Sequence, residues 1–311
     1  MMSIDAIQRA SKKIRPIVKE TPILTSKQLS EKCNNDIFVK AEHLQTTGSF
    51  KIRGAMNKVS DVAAKGETAI IAASSGNHGQ AVAFAAKTFG LQATIVVPED
   101  AAIPKINAIQ AYGANIIKHG YTSEERINYA KTLEGTFIPP YDDPLIMEGQ
   151  GTAGLEILDQ VKDIDIVLVP VGGGGLLSGV LLAIKQTNPA IKVIACEPAI
   201  ADDTYQSYKQ EKRVHIGQTE TIADGLRTSI PGEMTFPIVQ QYVDDVVLVT
   251  EEEIKAAMMF MYERMKQVVE PSGAVTIAAC LGKKLQVTGK RIVPIVSGGN
   301  VDLFSLHHYL P

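Results

Sequence analysis

A chain of 311 residues, 45% apolar and 21% charged, has the composition of a globular protein and is long enough for one large domain or two ordinary ones. Its formal net charge of −3 leaves no basic field to draw nucleic acid or an anionic membrane. Cys33, Cys196 and Cys280 lie far apart and form no CxxC pair, which suits small buried apolar residues in a reducing compartment.

The first residues run into Asp5, Arg9, Lys12, Lys13 and Arg15 with no apolar signal region, so a cytoplasmic protein is expected. Next comes Thr46-Thr47-Gly48-Ser49-Phe50-Lys51-Ile52-Arg53-Gly54-Ala55, a single lysine among small and apolar residues at the start of a predicted helix. Those surroundings suit an amine that must shed its proton and attack an aldehyde. An isolated lysine of this kind ordinarily snorkels to solvent, so Lys51 gains weight only from the loops further along the chain.

Strands are predicted at 68–73, 93–97, 115–118, 166–171, 193–197, 245–250 and 291–296, with helices at 80–89, 105–112, 124–133, 152–161 and 252–267. Near-continuous β-branched runs alternating with helices indicate parallel strands covered on both faces. The uncharged run 166–184 contains Pro170 and four consecutive glycines, which would break a membrane helix; strand, turn and buried helix account for it. Two clusters mark domain crossings, 60–67 and the triple-proline segment 139–144. They divide the chain into a large domain, 1–60 with 145–311, and a small mobile one, 61–144, with a ligand cleft between them.

Three loops carry chemistry. Gly172, Gly173, Gly174 and Gly175 follow an apolar strand and lead into a helix at Leu176, so backbone amides and a helix N-terminus converge where a phosphate can sit. No Lys-Ser/Thr comes after them, which excludes a P-loop, and a flexible turn is the plain alternative. Ser74-Ser75-Gly76-Asn77-His78-Gly79 also joins a strand to a helix, and its short polar side chains suit a substrate carboxylate or a ring hydroxyl as well as an ordinary capped turn. His78 joins Ser74 and Ser75 as a substrate-side candidate, although a lone turn histidine is ordinarily structural. Ser297-Gly298-Gly299-Asn300 closes the last strand, where a serine suits a pyridine nitrogen or a helix cap.

Together these motifs resemble the fold-type II pyridoxal phosphate (PLP) enzymes, in the branch of serine/threonine dehydratases (ammonia-lyases) and serine racemases. The likeness runs from Thr21-Pro22-Ile23-Leu24 to Ser297-Gly298-Gly299-Asn300-Val301-Asp302. It implies a tryptophan synthase β-like α/β fold of two three-layer αβα domains with the cofactor in the cleft. Lys51 would be the Schiff-base lysine, Asn77 would meet the cofactor's 3′-oxygen, Gly172 to Leu176 its phosphate, and Ser297 its pyridine nitrogen. Glu270 would lie near the ring and Gly225 would border the pocket. Ser74 and its loop would hold the substrate carboxylate, with Arg126 as a helper. Glu197, Ala201 and Asp203 resemble a divalent-cation segment whose hard oxygens suit Mg²⁺, Ca²⁺ or Mn²⁺; spacing alone reads as a solvated acidic loop.

The implied reaction is β-elimination from L-serine or L-threonine to pyruvate or 2-oxobutanoate plus ammonia, with Lys51 as base. Ser75 stands where many plain dehydratases carry alanine and serine racemases carry serine, so racemisation is the close alternative. Pro139 and Tyr141 depart from the animal racemases, which carry histidine and asparagine there. The resemblance also implies a homodimer and leaves room for a nucleotide effector. The chain stops soon after Ser297, so a C-terminal regulatory module of ~80 residues is not expected. Tyr242, Met258, Met259 and Phe260 suit an interface or the core equally.

Two other classes compete. An NAD(P)-dependent oxidoreductase would need a GxGxxG turn, which is not met, and would leave Lys51 and both serine loops idle. A non-catalytic amino-acid-binding protein would have no use for Lys51.

Overall fold

The computed structural model describes residues 2–309. Its strands are β1 (Ile23–Thr25), β2 (Asp36–Ala41), β3 (Ala69–Ala73), β4 (Gln92–Val97), β5 (Asn115–Lys118), β6 (Thr136–Phe137), β7 (Ile166–Pro170), β8 (Lys192–Pro198), β9 (Asp245–Val249) and β10 (Arg291–Val296). The α-helices are α1 (Ile4–Ile14), α2 (Lys27–Cys33), α3 (Lys51–Ala64), α4 (Asn77–Phe89), α5 (Ile103–Gln110) and α6 (Ser123–Ala130), followed by α7 (Pro144–Gln160), α8 (Gly175–Lys185), α9 (Asp203–Gln210), α10 (Thr235–Tyr242), α11 (Glu251–Phe260) and α12 (Pro271–Leu281).

The strands form two sheets, one ordered β1-β2-β10-β7-β8-β9 and one ordered β5-β4-β3-β6. Every pairing is parallel except the short β1 against β2. Alternation within a strand sends side chains to opposite faces. Thus Ile166 and Leu168 of β7 enter the core beneath α2, α11 and α12, while Val167 and Val169 pack under α8 and α10. Both faces being covered explains why the sequence reads as unbroken apolar runs. The smaller sheet repeats the scheme: Ile70, Ala72 and Ile95 face α3, α4 and α5, and Ile71 and Val96 face α6.

The predicted strands all form, within about two residues of their ends. β1, β2 and β6 are additions. β2 carries the charged Asp36 and Lys40, and β6 is only two residues long, so neither shows a clean pattern. α7 begins at Pro144, eight residues before the predicted 152, because Asp143 caps it and proline is at home in a first helical turn. Residue 60 falls inside α3, whose Ile52, Met56, Val59 and Val62 pack into the core of the four-stranded sheet. Cys33, Cys196 and Cys280, remote in sequence, all lie in one core. Among the described residues no helix is long and apolar enough to cross a membrane.

Candidate active site

The residues before Lys51 are stitched to the end of β10. Phe50 donates its backbone N–H to the Ser297 carbonyl at 3.0 Å, Gly299 donates to Gly48 at 2.9 Å, and Asn300 Nδ2 donates to the Thr47 carbonyl at 2.8 Å. Gly48 sits at φ +74° with Asn300 against its Cα, a position that excludes any larger residue. Lys51 therefore opens α3 beside Ser297, although the two are far apart in sequence. Its Nζ donates to the Pro140 carbonyl at 2.7 Å. Burial lowers its pKa to about 8, against the opposing pull of Glu270. An amine so placed reaches its free-base form near neutrality, as imine chemistry requires.

Glu270, at the head of α12, is buried and accepts from Asn77 Nδ2 at 2.6 Å. Burial, reinforced by the negative charge of Asp224, pushes its pKa up to about 7. Asn77 Oδ1 in turn accepts from Asn300 Nδ2 at 2.7 Å. One side chain on α4 thus ties together Glu270 and the loop after β10. Ser297 Oγ is buried and donates to the Ser272 carbonyl at 3.4 Å. Ser272 Oγ accepts from Gly225 N at 2.9 Å, which fixes the Gly225 border of the cleft.

The tetraglycine turn is confined. Gly174 adopts φ +89°, and no side chain caps the N-terminus of α8. Its first-turn amides are available to an anion and carry the positive end of the helix. Side chains on Gly172, Gly173, Gly174 or Gly175 would meet Leu226, Tyr141, Thr235 and Tyr141 respectively. Thr235 Oγ1 also donates to the Gly173 carbonyl at 2.7 Å. Leu176, the next residue, is buried.

α4 likewise begins without a side-chain cap, at Gly76. Ser74 Oγ accepts from Gly76 N at 3.2 Å, and Ser74 and Ser75 are half-buried at the mouth of this turn. His78 serves the backbone. A carbonyl only accepts, so its Nε2 donates to Ile138 O at 2.9 Å, and burial with the nearby Lys51 charge lowers its pKa to about 3. It is a neutral strut between α4 and the Pro139-Pro140 segment. Arg126 stays local as well: its guanidinium donates to Tyr121 O at 3.1 Å and Ser123 Oγ at 3.0 Å, and none of these bonds reaches the 74–79 loop.

Glu197 and Asp203 are fully buried together, with Ala201 buried between them in sequence. Glu197 accepts from Thr204 N at 2.9 Å and Tyr205 N at 2.8 Å, and Asp203 accepts from Thr228 Oγ1 at 3.0 Å. Burial raises both carboxyls, Glu197 well above its usual range and Asp203 to about 7, and Asp203 adds its charge to the rise of Glu197. No group of three His, Cys, Asp or Glu side chains is gathered for a metal among the described residues.

Pro140 as partner of Lys51, Tyr141 on the glycine turn, Thr235, Ser272 and the bonding roles of Asn300 escape a reading of local sequence. Each acts across tens to hundreds of positions and carries no spacing signal. Arg53, two residues after Lys51, is another: it is fully buried, donating to Glu42 at 2.8 Å and to Glu156 at 2.6 Å, while the equally buried Lys40 reaches Glu156 at 2.6 Å.

The chain thus offers two uncapped helix starts with amides free for an anion, a lysine of lowered pKa, and the unpartnered buried hydroxyls of Thr47 and Ser49. The chain belongs to the family described as "Pyridoxal-phosphate dependent enzyme", which matches residues 14–298. It is 44% identical to the L-threo-3-hydroxyaspartate ammonia-lyase of Saccharomyces cerevisiae, over 94% of this chain and 92% of that protein. It is 41% identical to the L-threonine ammonia-lyase of Thermotoga maritima, over 97% of this chain and 77% of that one. The solved structure of maize serine racemase superposes with a TM-score of 0.95 at 40% identity, covering 99% of this chain and 96% of the other. The fold is therefore that of the fold-type II PLP enzymes.

Proposed function

We propose that this enzyme eliminates water from a β-hydroxy amino acid, L-serine or L-threonine, and releases an enamine that takes up water and loses ammonia, giving pyruvate or 2-oxobutanoate, with serine racemisation as a second outcome at the same site. The observation that carries the reading is Lys51: an amine of pKa about 8, at the head of a helix pinned to Ser297. Pyridoxal phosphate, when bound, supplies an aldehyde that holds amino groups and a ring that accepts electrons. Lys51 would hold the cofactor, the amides of Gly172 to Leu176 its phosphate, Asn77 its 3′-oxygen and Ser297 its pyridine nitrogen.

The residues then divide the work. The uncapped start of α4, with Ser74, orients the substrate carboxylate. Lys51 Nζ takes the proton from the substrate's Cα as a general base tuned near neutrality. A neutral hydroxyl at Ser297 does not protonate the pyridine nitrogen as a carboxylic acid would. That setting would favour loss of the β-hydroxyl. Ser75, half-buried in the 74–79 loop, supports the racemase reading: its hydroxyl would return a proton to Cα on the side opposite Lys51 and so invert the centre. Arg126 enters as a carboxylate helper only if α6 moves toward the loop.

The proposal extends to a divalent cation at Glu197, Asp203 and the Ala201 carbonyl, supported by two carboxyls that burial raises, Asp203 adding its charge to the rise of Glu197, with no ion-pair partner for either among the described residues. It also extends to a small mobile domain, a homodimer and a nucleotide effector, all supported by the family likeness, and to action in the cytoplasm. The deciding experiment supplies pure protein, PLP and Mg²⁺ with L-serine, L-threonine or threo-3-hydroxyaspartate in parallel, and quantifies 2-oxo acids and D-serine in the same samples. Pyruvate or 2-oxobutanoate above D-serine fits elimination. D-serine in excess makes racemisation the main activity, and no product from any of the three sinks the proposal.

A further inference from the structure

Beyond the apolar packing of α3 and its neighbours on the four-stranded sheet, three side-chain hydrogen bonds tie residues 69–137 to the six-stranded half: Asn77 to Glu270, Asn77 to Asn300, and Lys105 to Asp224. Among the described residues, Lys105–Asp224 is the one ion pair that makes this crossing, at 2.6 Å. Both ends are rooted in cores. α5 is held on the smaller sheet by the buried Ile109 and by Ile106. Asp224 sits between Ala223 and Leu226, both in the core of the large sheet, and next to Gly225, which Ser272 fixes. Parting these two side chains therefore means moving one sheet relative to the other, not a loose loop.

The position matters as much as the anchoring. Gly225 and Leu226 lie against Gly172 of the glycine turn, so Asp224 stands at the rim of the cleft. Lys105 also senses the charge of Glu270 inside it. Asn77 belongs to the set proposed to meet the cofactor, so its two crossings serve the ring. Lys105–Asp224 is the polar crossing left over at the rim of the cleft. Its side chains are 29% and 47% exposed, and an ion pair so exposed is weak and screened by salt. Weakness suits a contact that must open to admit substrate and close around it.

We propose that Lys105 and Asp224 form a latch across the cleft that holds α5 against the Gly225 rim during turnover and releases it between turnovers. The latch rests on the reading of this cleft as the catalytic site. Lys105 is in this sense a positioning residue, touching no reacting atom.

The test uses the full chain loaded with PLP and compares wild type, Lys105→Ala, Asp224→Lys and the swap Lys105→Asp with Asp224→Lys. Lys105→Ala is expected to raise KM about threefold to fivefold, with kcat changed less than about twofold, the scale a half-exposed pair supports. The swap should bring KM back toward wild type. Raising NaCl from ~0.05 to ~0.5 M should raise KM in wild type but not in Lys105→Ala, because screening acts only where the pair exists. Amide hydrogen exchange, read without substrate, should be faster over residues 103–110 in Lys105→Ala. Active wild type with unchanged kinetics and exchange in Lys105→Ala overturns the latch, as does a swap no better than the single variants. Wild type inactive on all three β-hydroxy amino acids overturns the function instead, and the exchange comparison still decides the latch.

Discussion

Asn77 reaches from the first residue of α4 to the Glu270 carboxylate on α12, 2.6 Å away and 193 positions on in the chain. The bond joins the two sheets across the cleft that also holds Lys51. It places a neutral amide against a carboxyl whose pKa lies near 7. Small changes of charge nearby therefore decide whether Glu270 carries a proton at the pH where Lys51 loses one.

Lys51 gives the sharpest prediction. With PLP removed, its amine should become reactive toward a small aldehyde and borohydride as pH rises through about 8, well before the 10.5 of an ordinary lysine. Mass spectrometry of the labelled peptide against pH reads this directly. Lys51→Ala should lower elimination by ~10³ or more and abolish imine absorbance near ~410–420 nm. A midpoint near the ordinary value means that burial does not tune this amine.

Ser75→Ala should separate the two outcomes. D-serine formation is expected to fall by ~10² or more, the scale of a lost general acid. 2-oxo acid formation should stay within about threefold, because in the proposed reaction Lys51 alone would take the α-proton. Equal losses in both products would make Ser75 a substrate contact and nothing more.

Gly174→Ala tests the phosphate cradle. The new methyl group would meet Thr235 at a backbone angle of φ +89°, so the turn must distort. Cofactor affinity, tracked by spectral titration, should fall about tenfold or more, while Gly66→Ala, whose site has open space at a similar φ, should leave it unchanged.

The paired carboxyls predict a linkage between cation and pH. Asp203 titrates near 7 and Glu197 is raised too, so between about pH 4 and pH 7 the native state holds protons that the unfolded chain has shed. Stability without cation therefore falls as pH rises through this window and goes on falling above it until Glu197 too has lost its proton; Glu270 adds a slope of the same sign. A divalent cation prefers the deprotonated pair, so its stabilisation should be small at pH 5 and grow to about 2.7 kcal/mol at pH 8 for a concentration ~100 times its Kd. Thermal melts with Mg²⁺, Ca²⁺ or Mn²⁺ at both pH values, repeated on Glu197→Gln, measure it. Equal shifts at both pH values, or shifts that survive Glu197→Gln, would falsify the site.

Much of the fold and the site is legible in the chain. The β-branched runs of β7, β8 and β10 announce buried parallel strands because both their faces are covered, and Gly172 to Gly175 announce a turn that no side chain tolerates. The lysine and serine motifs, taken in order, point to the family. The hidden features depend on long-range partners. Nothing near His78 shows that its ring props up Ile138, and nothing near Arg126 shows that its guanidinium stays within its own helix start. β2 hides because Lys40 interrupts its apolar run, and that lysine becomes intelligible only once Glu156 arrives from α7.

Arg53 matters to anyone wishing to transplant this lysine into another scaffold. The segment Ser49-Phe50-Lys51-Ile52-Arg53-Gly54 is not a portable cassette. Its arginine arrives with zero exposure and depends on Glu42 from the turn after β2 and Glu156 from α7, with Lys40 balancing the charge. Copied without those three neighbours, the graft would bury a bare guanidinium one half-turn from its nucleophile, and the host would unfold locally or expel the helix before any chemistry began.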